Sequence, residues 1–195
     1  MMMTRKKHWN DYLWIWTLIY FSLGFFNILF AWLGMIDFIV PIIIAIVKGN
    51  KAFCNRYCGR GKLLALIPSV FKMKNQRVAP KWMYSKYFRY GFLAFFLTMF
   101  ANMLYQTYMV FAGAPLKTAI KLLWTFKVPW SWAYTVKTVP EWITQFSYGF
   151  YSMMLTSTII GLVVMALYRP RTWCTFCPMG TMTQSICKVK AQLKK

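Results

Sequence analysis

Acidic residues are nearly absent from this chain: its 195 residues include 3 Asp or Glu against 24 Lys or Arg. Histidine occurs once, at His8. A single histidine cannot supply the pair of axial ligands that a b-type haem in a helix bundle needs, so that cofactor is excluded. The acids Asp11, Asp37 and Glu141 all fall near the ends of the expected spans, which leaves no buried carboxylate for a proton relay. Also missing are a phosphate-cradling glycine loop, a dinucleotide fingerprint and a hydrolase triad. Charge of either sign is sparse, 14% of residues where soluble domains carry about 25%. Apolar residues fill the space, with 59% hydrophobic and 20% aromatic. The composition is that of a membrane protein, and the length suits a single domain, residues 1–195.

The net charge of +21 raises nucleic acid as a partner. Nucleic-acid binders gather their basic residues on a polar folded surface. Here the basic residues punctuate long apolar runs, so the partner they fit is a lipid bilayer and not a nucleic acid.

Four spans are expected. A bilayer core of ~30 Å takes about 20 helical residues. The apolar run after Arg5-Lys6-Lys7-His8 is too long for a cleavable leader and about right for two crossings. With a break at Gly34, Asp37 and Pro41, the first two spans fall at 12–33 and 36–53, and Pro41 lies in the first turns of the second. Lys62–Phe71 is read as a short helix along the interface, with Leu63, Leu64, Ile67 and Phe71 on one face. The third span is 87–111. Its Thr98, Asn102 and Gln106 recur every four residues as a polar stripe, read as packing between helices. The loop 112–141 gathers Trp124, Trp130, Trp132, Tyr134 and Trp142 and is read as partly interfacial or re-entrant. The fourth span, 142–168, holds Ser157 and Gly161 four apart, which permits close helix contact. Thr181–Lys195 reads as a short basic amphipathic helix.

The fold class expected is an all-α polytopic membrane protein. It has four transmembrane helices in pseudo-repeated helix–cysteine-loop–helix halves, with interfacial helices. Of the 24 basic residues, only Lys117, Lys121, Lys127 and Lys137 lie between the third and fourth spans. Positive loops stay in the cytoplasm, so both termini and both cysteine motifs are expected on the cytoplasmic side of the cell membrane.

Four of the five cysteines form two short pairs, Cys54 with Cys58 and Cys174 with Cys177, in loops 53–61 and 173–180. Aligned on the second cysteine of each pair, Gly61 falls on Gly180 and Ile67 on Ile186. Two such pairs supply the four thiolates of a tetrahedral zinc or an iron–sulfur site. Pro178, directly after Cys177, is typical of the last ligand of ferredoxin-like runs. Arg56, Arg60, Arg169 and Arg171 lie within a few residues and would offset the net negative charge of a four-thiolate cluster. Three chemistries stay open: an iron–sulfur cluster, favoured as 4Fe–4S with 2Fe–2S as the alternative; another metal; and redox-active thiols. Cys187 stands alone and reads as an ordinary thiol.

The motifs Phe-Cys-x-x-x-Cys-Gly-x-Gly at 53–61 and Trp-Cys-x-x-Cys-Pro-Met-Gly-Thr at 173–181, beside four spans, resemble the membrane iron–sulfur proteins of the NapH/NosR type. Those are membrane components of quinol dehydrogenases and regulators of nitrous-oxide reductase. The chain differs in having Gly59 after Cys58, a tighter second pair, and no ferredoxin-like cysteine runs. The resemblance implies a membrane-embedded electron-transfer subunit of a redox complex rather than a stand-alone enzyme. Its partners would be the other subunits of that complex, a ferredoxin, flavodoxin or flavoprotein, and a quinone. The rival reading is a quinone-linked thiol–disulfide oxidoreductase using the same two pairs; metal-ion handling or sensing is a third.

Overall fold

The structure, a computed structural model, describes residues 12–50, 53–70, 77–117, 119–122, 126–129, 133 and 139–193. His8, Asp11, Phe71, Trp124, Trp130, Trp132 and Tyr134 lie outside the described residues. Among the described residues the regular structure is helical apart from one antiparallel ribbon, β1 (Ala119–Leu122) with β2 (Phe126–Pro129), in which Ala119 faces Pro129. Among the described residues, three helical runs are long and apolar enough to cross a membrane: Ile28–Lys48, Lys86–Phe111 and Glu141–Leu167.

The first apolar run breaks earlier than expected. α1 (Leu13–Phe26) ends at Asn27, whose backbone is extended and whose side chain accepts from the Leu29 N–H at 3.0 Å. An asparagine in this role caps the next helix. A 3-10 stretch, Ile28–Leu33, then runs directly into α2 (Gly34–Lys48). Gly34 is therefore no break. A side chain there would meet the Phe150 ring and the Tyr20 hydroxyl at 2.7 Å, so the glycine serves close helix contact. Pro41 is buried in the middle of α2 rather than at its start. It withholds the N–H that the Asp37 carbonyl would accept.

α5 (Glu141–Leu167) is the central element. Of its most apolar stretch 61% is buried, against 22% for Ile28–Lys48 and 17% for α4 (Lys86–Phe111). Its Tyr148, Phe150 and Tyr151 form one core with Tyr20, Ile28, Ala31 and Met103. Its Val164 and Met165 form another with Leu64, Met83, Trp173 and Phe176. Some hydroxyls on α5 bond back within the helix: Ser147 donates to the Ile143 carbonyl at 2.9 Å and Thr158 to that of Met154 at 2.9 Å, whereas Thr144 Oγ1 and Thr156 Oγ1 are buried with no partner among the described residues. Within an apolar medium such internal partners take the place of water. The exposed faces of the outer helices are aliphatic and aromatic, with Ile36, Ile39, Ile43 and Val47 on α2 and Leu97, Leu104 and Tyr108 on α4. This is the surface of a membrane protein.

The two short helices that follow the cysteine pairs both pack on the long helices. α3 (Gly59–Val70) packs on α1 and α5, burying Leu63 and Leu64. α7 (Pro178–Leu193) packs on α2 and α4. Lys190 of α7 donates to the carbonyls of Ile46 and Val47 at 2.6 and 2.8 Å, at the C-terminal end of α2. Arg89 of α4 hydrogen-bonds Gln184 of α7. Each post-cysteine helix thus leans on the helix that precedes the other pair. Of the polar stripe on α4, Thr98 is exposed and bonds back to the Ala94 carbonyl at 2.9 Å. Asn102 and Gln106 face a polar cavity shared with Lys117, Gln145 and Ser152.

Candidate metal centre

Each cysteine pair sits on a short helical turn that ends where the next helix begins. Cys54 lies on a single π-helical turn, Phe53–Tyr57, closed by the Cys58 N–H on the Phe53 carbonyl at 3.0 Å. Such turns recur at functional sites because they re-aim one side chain within a helix. α3 starts at Gly59, directly after Cys58. In the second pair, Cys174 lies on the short helix α6 (Trp173–Phe176), and the Cys177 N–H bonds the Trp173 carbonyl at 2.9 Å. α7 starts at Pro178, directly after Cys177. Proline suits that first helical position, where no N–H is required. Pro178 therefore opens a helix.

The N-termini of α3 and α7 consequently both face the cysteines. The Gly61 N–H donates to Cys58 Sγ at 3.4 Å, and the Gly180 N–H bonds Cys177. Helix N-termini carry partial positive charge and free N–H donors, which favour an anionic group. Thr183 Oγ1 of α7 lies 3.8 Å from Cys54 Sγ, tying the second half to the first pair. A methyl group on Gly61 would sit 3.6 Å from Cys58 Sγ and 3.7 Å from Cys174 Sγ, so the glycine opens the space between the pairs.

All four paired cysteines line one cavity, together with Asp37, Phe38, Phe96, Arg60, Met154 and Ser157. Its depth was not foreseen. The cysteine pairs were expected at the ends of the helices that precede them. Instead they fold back along them. Ser157 is ten residues inside the end of α5, Asp37 eleven inside the end of α2, and Phe96 ten inside the start of α4. At ~1.5 Å per residue the cavity is about 15 Å below those helix ends. Arg60 follows the chain down: it donates to Ser157 Oγ at 2.8 Å and to Met154 Sδ at 2.7 Å. Met154 is the midpoint of α5.

Arg60 is the one arginine of the four expected neighbours that lines the cavity. Arg171 acts on Cys174 through space, in a left-handed backbone conformation with φ 66°. Arg56 and Arg169 are exposed. Cys187 is half-buried on α7 and is not among the cavity residues. Glu141 is exposed at the start of α5.

As bare thiols Cys174 and Cys177 keep their protons. Burial pushes the Cys177 thiol up to about 11, partly countered by the Gly180 N–H and Arg60. Burial and the neighbouring thiols push Cys174 up to about 12, partly countered by Arg171. The Cys174 residue is exposed overall, but its Sγ lies among protein atoms beside Gly61. Ionising these two thiols requires a compensating cation, which a metal centre supplies. A single tetrahedral zinc with bonds of ~2.3 Å would draw its sulfurs to about 3.8 Å from one another. Among the described residues no three of His, Cys, Asp or Glu converge that way. Four thiols spread around a common cavity fit a larger inorganic core.

Asp37, Phe96, Met154 and Thr183 at this site were not legible in advance. Asp37 had been assigned to a span end, whereas it stands at the centre of Ile28–Lys48 and faces the cysteines. An acid inside an unbroken apolar run was the available signal.

A family model described as a 4Fe-4S binding domain matches the chain twice, at residues 30–75 and 152–195. Each match takes in the end of an apolar helix, a cysteine pair and the helix after it. No curated protein and no solved structure matches the chain. The cofactor this identifies is an iron–sulfur cluster of the 4Fe–4S type.

Proposed function

We propose that this chain is a membrane electron-transfer protein holding one 4Fe–4S cluster between Cys54, Cys58, Cys174 and Cys177, as a subunit of a redox complex. The observation that carries this reading is the common cavity lined by all four paired cysteines, two from each half of the chain. Residues 1–195 act as one domain with four spans, the fourth being α1, which at 14 residues is shorter than the other three. The repeated match of the 4Fe-4S model supports two pseudo-repeated halves, as in the NapH/NosR type.

When bound, the cluster supplies a reversible one-electron store. The chain supplies the rest. The Gly61 and Gly180 N–H groups and the start of α3 and α7 stabilise thiolate charge. Arg60 brings a fixed positive charge into the apolar cavity. Phe38, Phe53, Phe96 and Trp173 exclude water. Cys174 is the exposed member of the four, flanked by exposed Arg169 and Arg171. That edge is where an acidic one-electron carrier, a ferredoxin, flavodoxin or flavoprotein, docks on a basic cytoplasmic face. A quinone or another subunit takes the electron on the membrane side.

The test is anaerobic purification with iron and sulfide analysis and a paramagnetic-resonance spectrum of the reduced protein. Four irons per chain and a reducible cluster signal are expected. Ser in place of Cys54, Cys58, Cys174 or Cys177 strips the iron, whereas Cys187→Ser keeps it. Loss of iron in Cys187→Ser with retention in Cys174→Ser overturns the ligand set.

A further inference from the structure

Asp37 is one of 3 acidic residues in the chain, and it stands at the centre of the apolar run Ile28–Lys48. An ionisable group at that depth is costly and is kept for a function. Asp37 lines two cavities, whose walls also share Phe53 and Gly59. One is the cysteine cavity. The other is a space of about 190 Å³ bounded by Leu13, Trp16, Phe53, Tyr57 and Gly59. One water needs only ~10–15 Å³ of such volume, so this space has room for several.

The surroundings of Asp37 are polar in the way a water site requires. The Trp16 side chain hydrogen-bonds its carboxylate. Nearby on α1, Thr17 Oγ1 and Tyr20 Oη are buried with no hydrogen-bond partner among the described residues. Buried polar atoms left over by the protein are generally met by water. The titratable and charged groups that face Asp37 are Tyr20 from α1, Tyr57 from the π turn, Arg60 from α3, and the four cysteines of the cavity. α4 and α5 present Phe96, Met154 and Ser157, which carry no charge. Arg60 cannot change its charge, and its guanidinium is already bonded to Ser157 and Met154.

We propose that Asp37 is a proton-binding site coupled to the redox state of the cysteine centre: it takes one proton from water in the Trp16–Tyr57 cavity for each electron delivered, and releases it when the electron leaves. The inference rests on the cysteines being cluster ligands. In the step a one-electron carrier is oxidised and the centre gains one electron; a hydrated proton from solvent reaches the cavity, its O–H bond breaks to leave neutral water, and one O–H bond forms on the carboxylate. Added negative charge in a low-dielectric interior raises the proton affinity of a neighbouring carboxylate. Reoxidation reverses each term.

The experiment titrates the midpoint potential of the cluster-loaded protein against pH for the wild type, Asp37→Asn and Asp37→Glu. The wild-type potential falls as pH rises, approaching about 59 mV for each tenfold change in proton concentration in a one-electron couple. The Asn variant is flat, and the Glu variant regains the slope. Infrared difference spectra between reduced and oxidised protein show a carboxyl C=O band in the wild type that the Asn variant lacks. A wild-type potential independent of pH, or an Asn variant with the wild-type slope, overturns the proposal while leaving the cluster assignment standing. A wild type that binds no cluster overturns the assignment instead. If the Asn variant holds no iron, the Glu variant decides: its carboxyl band must move from the wild-type frequency, and an unmoved band overturns the proposal.

Discussion

Arg60 lies two residues past Cys58 and donates to Ser157 Oγ at 2.8 Å, 97 residues further along the chain. Ser157 in turn donates to the Met154 carbonyl at 2.8 Å, so the guanidinium is held in one place. A fixed cation beside an anionic centre favours the state with one more electron. Arg60→Gln should therefore lower the midpoint potential by tens of millivolts, on the order of 50 mV, without removing iron. Arg56→Gln and Arg169→Gln, at exposed positions, should move it far less. A redox titration of the three variants separates them. Equal shifts in all three would mean that the arginines act as a diffuse surface charge.

Gly61 is predicted to be intolerant for a steric reason confined to the loaded protein. A methyl group at this position points between Cys58 Sγ and Cys174 Sγ at ordinary contact distances. Gly61→Ala should fold but hold less than half the wild-type iron, because the methyl occupies cofactor space. Gly91 on α4 meets nothing within 4 Å, so Gly91→Ala should keep full iron and gain about 0.5–1 kcal/mol in helix stability. Iron content and thermal denaturation in detergent check both.

At Gly34 the penalty falls on the fold itself. The Phe150 ring and Tyr20 hydroxyl leave no room for a side chain. Gly34→Leu should cost about 1–3 kcal/mol by overpacking, read as a lower unfolding midpoint in apoprotein and loaded protein alike.

Lys190 serves as a detached cap for α2, reaching the carbonyls of Ile46 and Val47 from α7. Its exposure limits the gain to the range of surface helix-end charges. Lys190→Met should cost about 0.3–1 kcal/mol and speed proteolysis within α7. An unchanged digestion rate would mean that α7 is held by its other contacts alone.

The cysteine pairs, the long helices and the membrane character were all legible, because thiol spacing and apolar run length are local properties. The break in the first run was misplaced. Gly34 and Pro41 look like interruptions to local rules, yet Phe150 and Tyr20 set the use of one and burial in α2 that of the other. Asn27, a polar cap amid aromatic residues, marked the true break. The depth of the site escaped notice for a related reason. A loop of ten residues reads the same whether it ends at the membrane surface or turns back along the helix it left. Only the packing of Trp173 and Leu64 against Gly161 decides between the two.

That depth bears on energy conversion. Under the proposed function, with the cavity about 15 Å below the helix ends and a hydrocarbon core of ~30 Å, an electron stored there would stand about halfway through the membrane's electric field. A full charge crossing gains or loses ~2.3 kcal/mol per 100 mV, so loading this site is worth about half of that. In an energised membrane, filling and emptying the site become two separate electrogenic half-steps. The transmembrane voltage would then bias each of the two half-steps.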